Sequence, residues 1–161
     1  MATHMIGIAE KVISISPDKL VTLGLGSCVG LVLFDPVKKV GGLVHIMLPN
    51  APAGTTEFNR FKFADTAIDD MIKLVIRAGA SRHQLQAKLA GGAHMFNNAY
   101  NSDVMGIGKR NVDLCLKVLK ENRIPIAAQD TGGTSGRSIE FCCETAMLQI
   151  RTVSPRSVRL I

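Results

Sequence analysis

Between residues 64 and 75 the apolar positions Ala64, Ala67, Ile68, Met71, Ile72 and Val75 recur at three- and four-residue intervals, with polar residues between them. That spacing puts them on one face of an α-helix, and Gly79 stands where a left-handed C-terminal cap belongs. A second helix is predicted over residues 109–122, where Val112, Cys115, Leu116 and Leu119 share a face and Asn111 reads as a cap. The remaining apolar runs have strand length. Residues 6–15 and 21–25 flank Ser16-Pro17-Asp18, which predicts a hairpin-like start. Residues 29–34 and 40–48 flank the turn at Asp35-Pro36 and stop at Pro49. Shorter strands are expected at 85–89, 124–128, 139–143 and 146–153. Residues 50–56 read as a surface loop and 130–137, with three Gly and two Thr, as a turn or binding loop.

This pattern, mostly strands with two helices, fits a layered α/β domain, and 161 residues suffice for one such domain spanning 1–161. Residues 1–5 are expected to be loosely attached, with Met5 an alternative start or His4-Met5 a cloning remnant, and are left outside the fold. Aromatics are only 4% of the chain and Trp is absent, so Val, Ile, Leu, Ala and Met must build the core. A formal charge of +6 favours an acidic partner. The basic residues are scattered and no aromatic stacking platform accompanies them, which argues against nucleic acid. Four cysteines without metal-ligand spacing or a disulfide framework point to a reducing compartment, and no segment reads as a signal peptide or membrane span. The expectation is a cytoplasmic protein with no membrane insertion, no cofactor and no metal.

Candidate chemistry concentrates in Thr22-Leu23-Gly24-Leu25-Gly26-Ser27-Cys28, which ends a glycine-containing turn on a thiol. Such a turn can leave backbone N–H groups free beside a nucleophile, as an oxyanion hole requires. A lone Cys in an apolar run is by default an inert core residue. His45, between Val44 and Ile46, changes that picture. An imidazole in an apolar run needs partners for both ring nitrogens, and neighbouring strands across one turn can bring a Cys and a His together. A nearby imidazole and free turn N–H groups would lower the Cys28 thiol's pKa.

The segment from Thr22 to Val29, followed by His45-Ile46-Met47-Leu48-Pro49, resembles the signature of CheD proteins, the bacterial chemoreceptor glutamine deamidases. Gly91-Gly92-Ala93-His94-Met95-Phe96, Ile107-Gly108-Lys109-Arg110-Asn111 and Asp130-Thr131-Gly132-Gly133-Thr134-Ser135-Gly136-Arg137 resemble that family's pattern too. Five blocks in order span nearly the whole chain, although His94 stands where the family commonly has Asn.

The resemblance implies a Cys-His-Thr triad at Cys28, His45 and Thr22, with Ser27 and Gly26 supporting the oxyanion. It also implies a layered fold of packed mixed β-sheets, sandwich-like and flanked by two main helices, similar to the catalytic domain of cytotoxic necrotizing toxins. The substrate it implies is the cytoplasmic helical bundle of a chemoreceptor, and a CheC-type response-regulator phosphatase is the implied partner. The chain is expected to be monomeric, and binding that phosphatase is the alternative to catalysis as its main role. Residues 130–137, Gly133 and Arg137 among them, either line the substrate cleft, with Arg137 pairing a carboxylate of the partner, or form a turn in which Arg137 meets a nearby acid. The Gly91-Gly92 turn reads as close backbone packing, His94 as a surface or capping residue, and Cys115, Cys142 and Cys143 as structural thiols.

Overall fold

The computed structural model of the protein describes residues 1–95 and 106–161, so Phe96, the end of the third block, lies outside the described residues. The strand-forming runs give β1 (Thr3–Ile6), β2 (Lys11–Ile15), β3 (Lys19–Leu25), β4 (Val29–Asp35), β5 (Val40–Ile46) and β6 (Gln86–Gly91). They continue with β7 (Ile126–Thr131), β8 (Arg137–Cys142), β9 (Leu148–Val153) and β10 (Arg156–Leu160). The helices are α1 (Ala64–Arg77) and α2 (Ile107–Glu121). Two five-stranded mixed sheets result, in spatial order β1-β3-β8-β9-β10 and β2-β5-β4-β6-β7.

Alternation along β4 explains the layering. Leu31 and Leu33 face one side, where they join Ile68, Met71 and Val75 of α1 and Cys115 and Leu119 of α2. Val32 and Phe34 face the other, where they join Leu20 of β3 and Ile139 and Phe141 of β8. The second sheet is therefore the middle layer, buried on both faces, and this is why β4 and β5 read as continuous apolar runs rather than alternating ones. In α1 the predicted stripe is buried, Asp65 and Arg77 complement the helix dipole, and Gly79 follows the C-terminal residue with φ +117°.

Two expectations are corrected at the N-terminus. The first strands do not form a hairpin: β2 pairs with β5 in the middle sheet, whereas β3 pairs with β1 and β8 in the outer one. Val12 and Leu20 both turn toward the layer between the sheets, so a pattern of inward residues could not say that they approach it from opposite sides. Nor are residues 1–5 loose. Thr3–Ile6 runs parallel to β3, and Asp18 fastens it: Oδ1 accepts from the Ala2 N–H at 2.9 Å, and Oδ2 lies 2.8 Å from His4 Nε2. Hydrogen bonds from Ser14, His4 and Ala2 hold the Asp18 carboxyl well below the usual carboxylate range.

Candidate active site

The antiparallel register of β4 and β5 places His45 opposite Gly30. Cys28 lies two residues before Gly30, so strand alternation puts its side chain on the same face as His45, toward the outer sheet. Consistent with this, the half-buried Cys28 packs against the layer between the sheets. Across that layer β3 contributes Thr22, fully buried, whose Oγ1 is 2.8 Å from His45 Nδ1.

The hydroxyl of Thr22 has one proton, and it donates that proton to the Ile6 carbonyl of β1 at 2.9 Å. Toward His45 it can then only accept, so Nδ1 carries the ring proton and Nε2 is the basic nitrogen. His45 is 1% exposed, and its Nε2 is buried without a hydrogen-bond partner among the described residues. The last residue of β1, just past the five expected to be loose, thus supplies the group that fixes the tautomer.

Burial pushes the Cys28 thiol up from 9.0 and the His45 imidazole down from 6.5. This corrects the lowered thiol expected from sequence. Desolvation disfavours both charged forms, and no hydrogen bond from Nε2 offsets it, so the resting pair is a neutral thiol and a neutral imidazole.

The turn before β4 is held by its carbonyl groups. Gly26 O accepts from the Ala93 N–H at 2.9 Å and Cys28 O from the Gly92 N–H at 2.8 Å. Ser27 O accepts from Asn111 Nδ2 at 2.9 Å. In a trans peptide the carbonyl and the following N–H point in opposite directions, so the Ser27 N–H faces away from the Ala93 donor and the Cys28 N–H away from Asn111. Neither N–H has a hydrogen-bond acceptor among the described residues. A cavity of about 310 Å³ lined by Ile8, Ser27, Cys28, Met47, Leu48, Met95 and Ile107 opens at the thiol. Its walls are mostly apolar side chains, suited to the carbon stem of a glutamine rather than to a charged group.

Thr22 thus meets His45 through a hydrogen bond, and Ser27 and Cys28 line one cavity, with Cys28 on the sheet face that His45 shares. Gly133 is not among them: it lines a separate hollow with His94 and Lys109. Arg137 also departs from the cleft expectation, because its guanidinium is drawn inside. It donates to Asp130 Oδ1 at 3.1 Å and to the Gly132 and Gly91 carbonyls, with an exposure of only 8%. Of the two readings of this loop, the turn with a nearby acid is the one the geometry matches. His94 is exposed, and its backbone N–H donates to the Gly133 carbonyl. Burial pushes the Cys115 thiol up to about 12 and that of Cys143 up to about 11.

The residue that sequence reading missed is Asn111. It is not a cap but lies within α2, fully buried, where Nδ2 also donates to the Met47 carbonyl at 3.0 Å. Its signal was available: Gly108, Asn111 and Cys115 share the buried stripe of α2, and a carboxamide there demands partners.

A family model described as CheD chemotactic sensory transduction matches residues 47–152. The chemoreceptor glutamine deamidase CheD of Halalkalibacterium halodurans is 52% identical over 149 residues, 92% of each chain. The chain belongs to the CheD family. The chemoreceptor glutamine deamidase CheD of Bacillus subtilis is 50% identical over 92% of this chain and 90% of its own. A probable chemoreceptor glutamine deamidase CheD of Caldanaerobacter subterraneus is likewise 50% identical, over 92% of this chain and 91% of its own. The CheD model match begins just past His45 and does not cover Thr22, Cys28 or His45. Among the described residues no helix is long and apolar enough to cross a membrane, and no group of three or more His, Cys, Asp or Glu is arranged to hold a metal ion.

Proposed function

We propose that this chain is a protein-glutamine deamidase that converts glutamine side chains on the cytoplasmic helices of chemoreceptors into glutamate, using Cys28, His45 and Thr22. The carrying observation is the buried His45, with Nδ1–H committed to Thr22 and Nε2 left without a partner on the sheet face that bears Cys28. Such an imidazole is prepared to take a proton and has little other use.

As a glutamine side chain enters the apolar cavity, Cys28 Sγ attacks its carbonyl carbon and the thiol proton passes to His45 Nε2. The oxyanion forms against the N–H groups of Ser27 and Cys28. Collapse breaks the carbon–nitrogen bond, and the imidazolium returns its proton to the departing ammonia. Water then attacks the thioester while His45 takes one of its protons. The second oxyanion expels the thiol, which is reprotonated, and the product is glutamate. Thr22 steadies the imidazole in each protonation state it passes through. The charge of +6 favours approach to acidic helical surfaces, and each turnover adds a negative charge to the receptor helix.

The reading is tested by incubating the purified protein with a receptor cytoplasmic fragment. Each modified glutamine gains about one dalton with one ammonia released, because NH2 is replaced by OH. Unchanged glutamines, or ester hydrolysis without ammonia, would reject it. If the main work were instead to bind a CheC-type phosphatase, the fragment would stay unmodified while the phosphatase was retained.

The pH dependence follows from burial. His45 stays neutral in the fold until the pH falls below the ordinary imidazole value of 6.5, so kcat/KM should rise with pH along an acid limb centred below 6.5. Folding stability falls over the same acid range, because the unfolded chain binds that proton before the folded one does. A limb centred clearly above 6.5 in a kcat/KM profile would contradict the neutral resting pair.

A further inference from the structure

We infer that Asn111 is a positioning residue for the deamidation, holding the peptide before Cys28 so that its N–H meets the oxyanion; this rests on the thioester reading above. The residue is fully buried in the second turn of α2. Both hydrogens of its carboxamide are spent on carbonyl groups from the two segments that carry the chemistry. One goes to Ser27, immediately before the nucleophile, and the other to Met47, two residues after the base.

One side chain thus ties the thiol's turn to the end of β5. Because the peptide joining Ser27 to Cys28 is trans, turning its carbonyl onto Asn111 turns the Cys28 N–H away from α2. Remove the donor and that peptide loses the only hydrogen bond made by its carbonyl among the described residues. It is then free to rotate until its oxygen, rather than its N–H, faces the site.

Asn111 carries a cost that packing of the α2 stripe does not require. Its Oδ1 is buried without a partner, which is unfavourable, and the neighbouring positions on the stripe, Val112 and Cys115, are apolar. An aliphatic side chain would fill the same space without an orphaned oxygen, but it would strip the Ser27 and Met47 carbonyls of their donor. Retaining a half-satisfied carboxamide is understandable if its two donors aim the turn.

The test compares Asn111→Leu, which fills the stripe, and Asn111→Asp, which keeps the shape but has no donor, with the unmodified enzyme. Three readouts are taken on folded protein: kcat and KM for deamidation, thermal melting, and the rate at which iodoacetamide labels Cys28. Alkylation displaces iodide without forming an oxyanion, so misaiming the peptide N–H leaves it alone. Both variants are expected to lose about 100-fold in kcat, with KM and the labelling rate within about threefold of the parent.

A folded variant retaining kcat within about threefold overturns the inference, as does labelling that falls in step with kcat, which would mean general disruption. If neither variant folds, Asn111 is structural and the inference is likewise overturned. Failure of the unmodified enzyme to release ammonia would instead reject the deamidase reading, a result distinct from any of these.

Discussion

Cys28→Ala eliminates ammonia release from receptor fragments, with kcat falling by about 10⁴-fold or more and the melting temperature moving by only a few degrees. The two halves of this expectation come from different atoms. The structural contacts of Cys28 are mainly those of its backbone, above all the carbonyl held by the Gly92 N–H, and alanine keeps them. The sulfur is only half-buried and sits at the edge of the layer between the sheets, so removing it leaves a small void next to an existing cavity. For the proposed reaction the same atom is indispensable, because its thioester requires it. Neither Cys115, buried under α2, nor Cys143, buried between the sheets, can substitute. Intact mass, peptide mapping and ammonia assay measure the loss, and mapping separates Cys28 from the half-exposed Cys142 in any labelling control. Residual turnover above about 1% of the parent in folded Cys28→Ala protein would show that the nucleophile lies elsewhere.

The sequence was most informative where one residue pattern had one structural consequence. The stripe from Ala64 to Val75 could only be a buried helix face, and α1 buries all six of its residues. The turn at Asp35-Pro36 between two apolar runs fixed the antiparallel register that sets His45 against Gly30, and with it the shared face of Cys28 and His45. Pairings between distant strands were not legible. Alternation tells which residues turn inward but not which sheet they belong to, so β2 and β3 read as partners when they are in facing layers. β10 escaped notice because most of its residues are exposed, and a polar edge strand has no inward pattern to detect.

Within the site, the difficulty was telling a polar residue that serves the fold from one that serves the chemistry. Arg137 reads as a loop residue and Asn111 as a helix cap, and both are buried. Arg137 finds a carboxylate seven positions away in Asp130 and is absorbed by the fold. Asn111 reaches across 84 positions to Ser27, a contact that no local pattern encodes. The Ile6 carbonyl was illegible for a further reason, since a backbone group that orients a threonine has no side-chain signature at all.

Gly91→Ala should destabilise the protein strongly and disable the site together. Gly91 ends β6 opposite Val29 and has φ +115°, a conformation that alanine adopts only under strain. A methyl group built there overlaps the Cys28 carbonyl oxygen and lies 3.3 Å from the Val29 Cα, and these are backbone atoms that cannot swing aside as a side chain would. Strain of about 1–3 kcal/mol and overpacking of similar size are expected together, a large part of the roughly 5–15 kcal/mol that keeps a domain folded. For a chain of this length that corresponds to a melting temperature lower by roughly 5–25 °C. The structure can relieve the overlap only by parting β6 from the turn, which pulls the Gly92 N–H off the Cys28 carbonyl and displaces the turn that carries the thiol. Deamidation should therefore be lost well below the new melting temperature. Gly24→Ala supplies the comparison: φ there is +69°, yet nothing lies within 4 Å of an added methyl, so only the local backbone cost of about 1 kcal/mol applies. Thermal melting and kcat of the two variants, measured side by side, isolate the clash from the backbone preference. Equal melting temperatures with kcat retained in both would mean that the close approach of β6 to Cys28 does not hold the nucleophile in place.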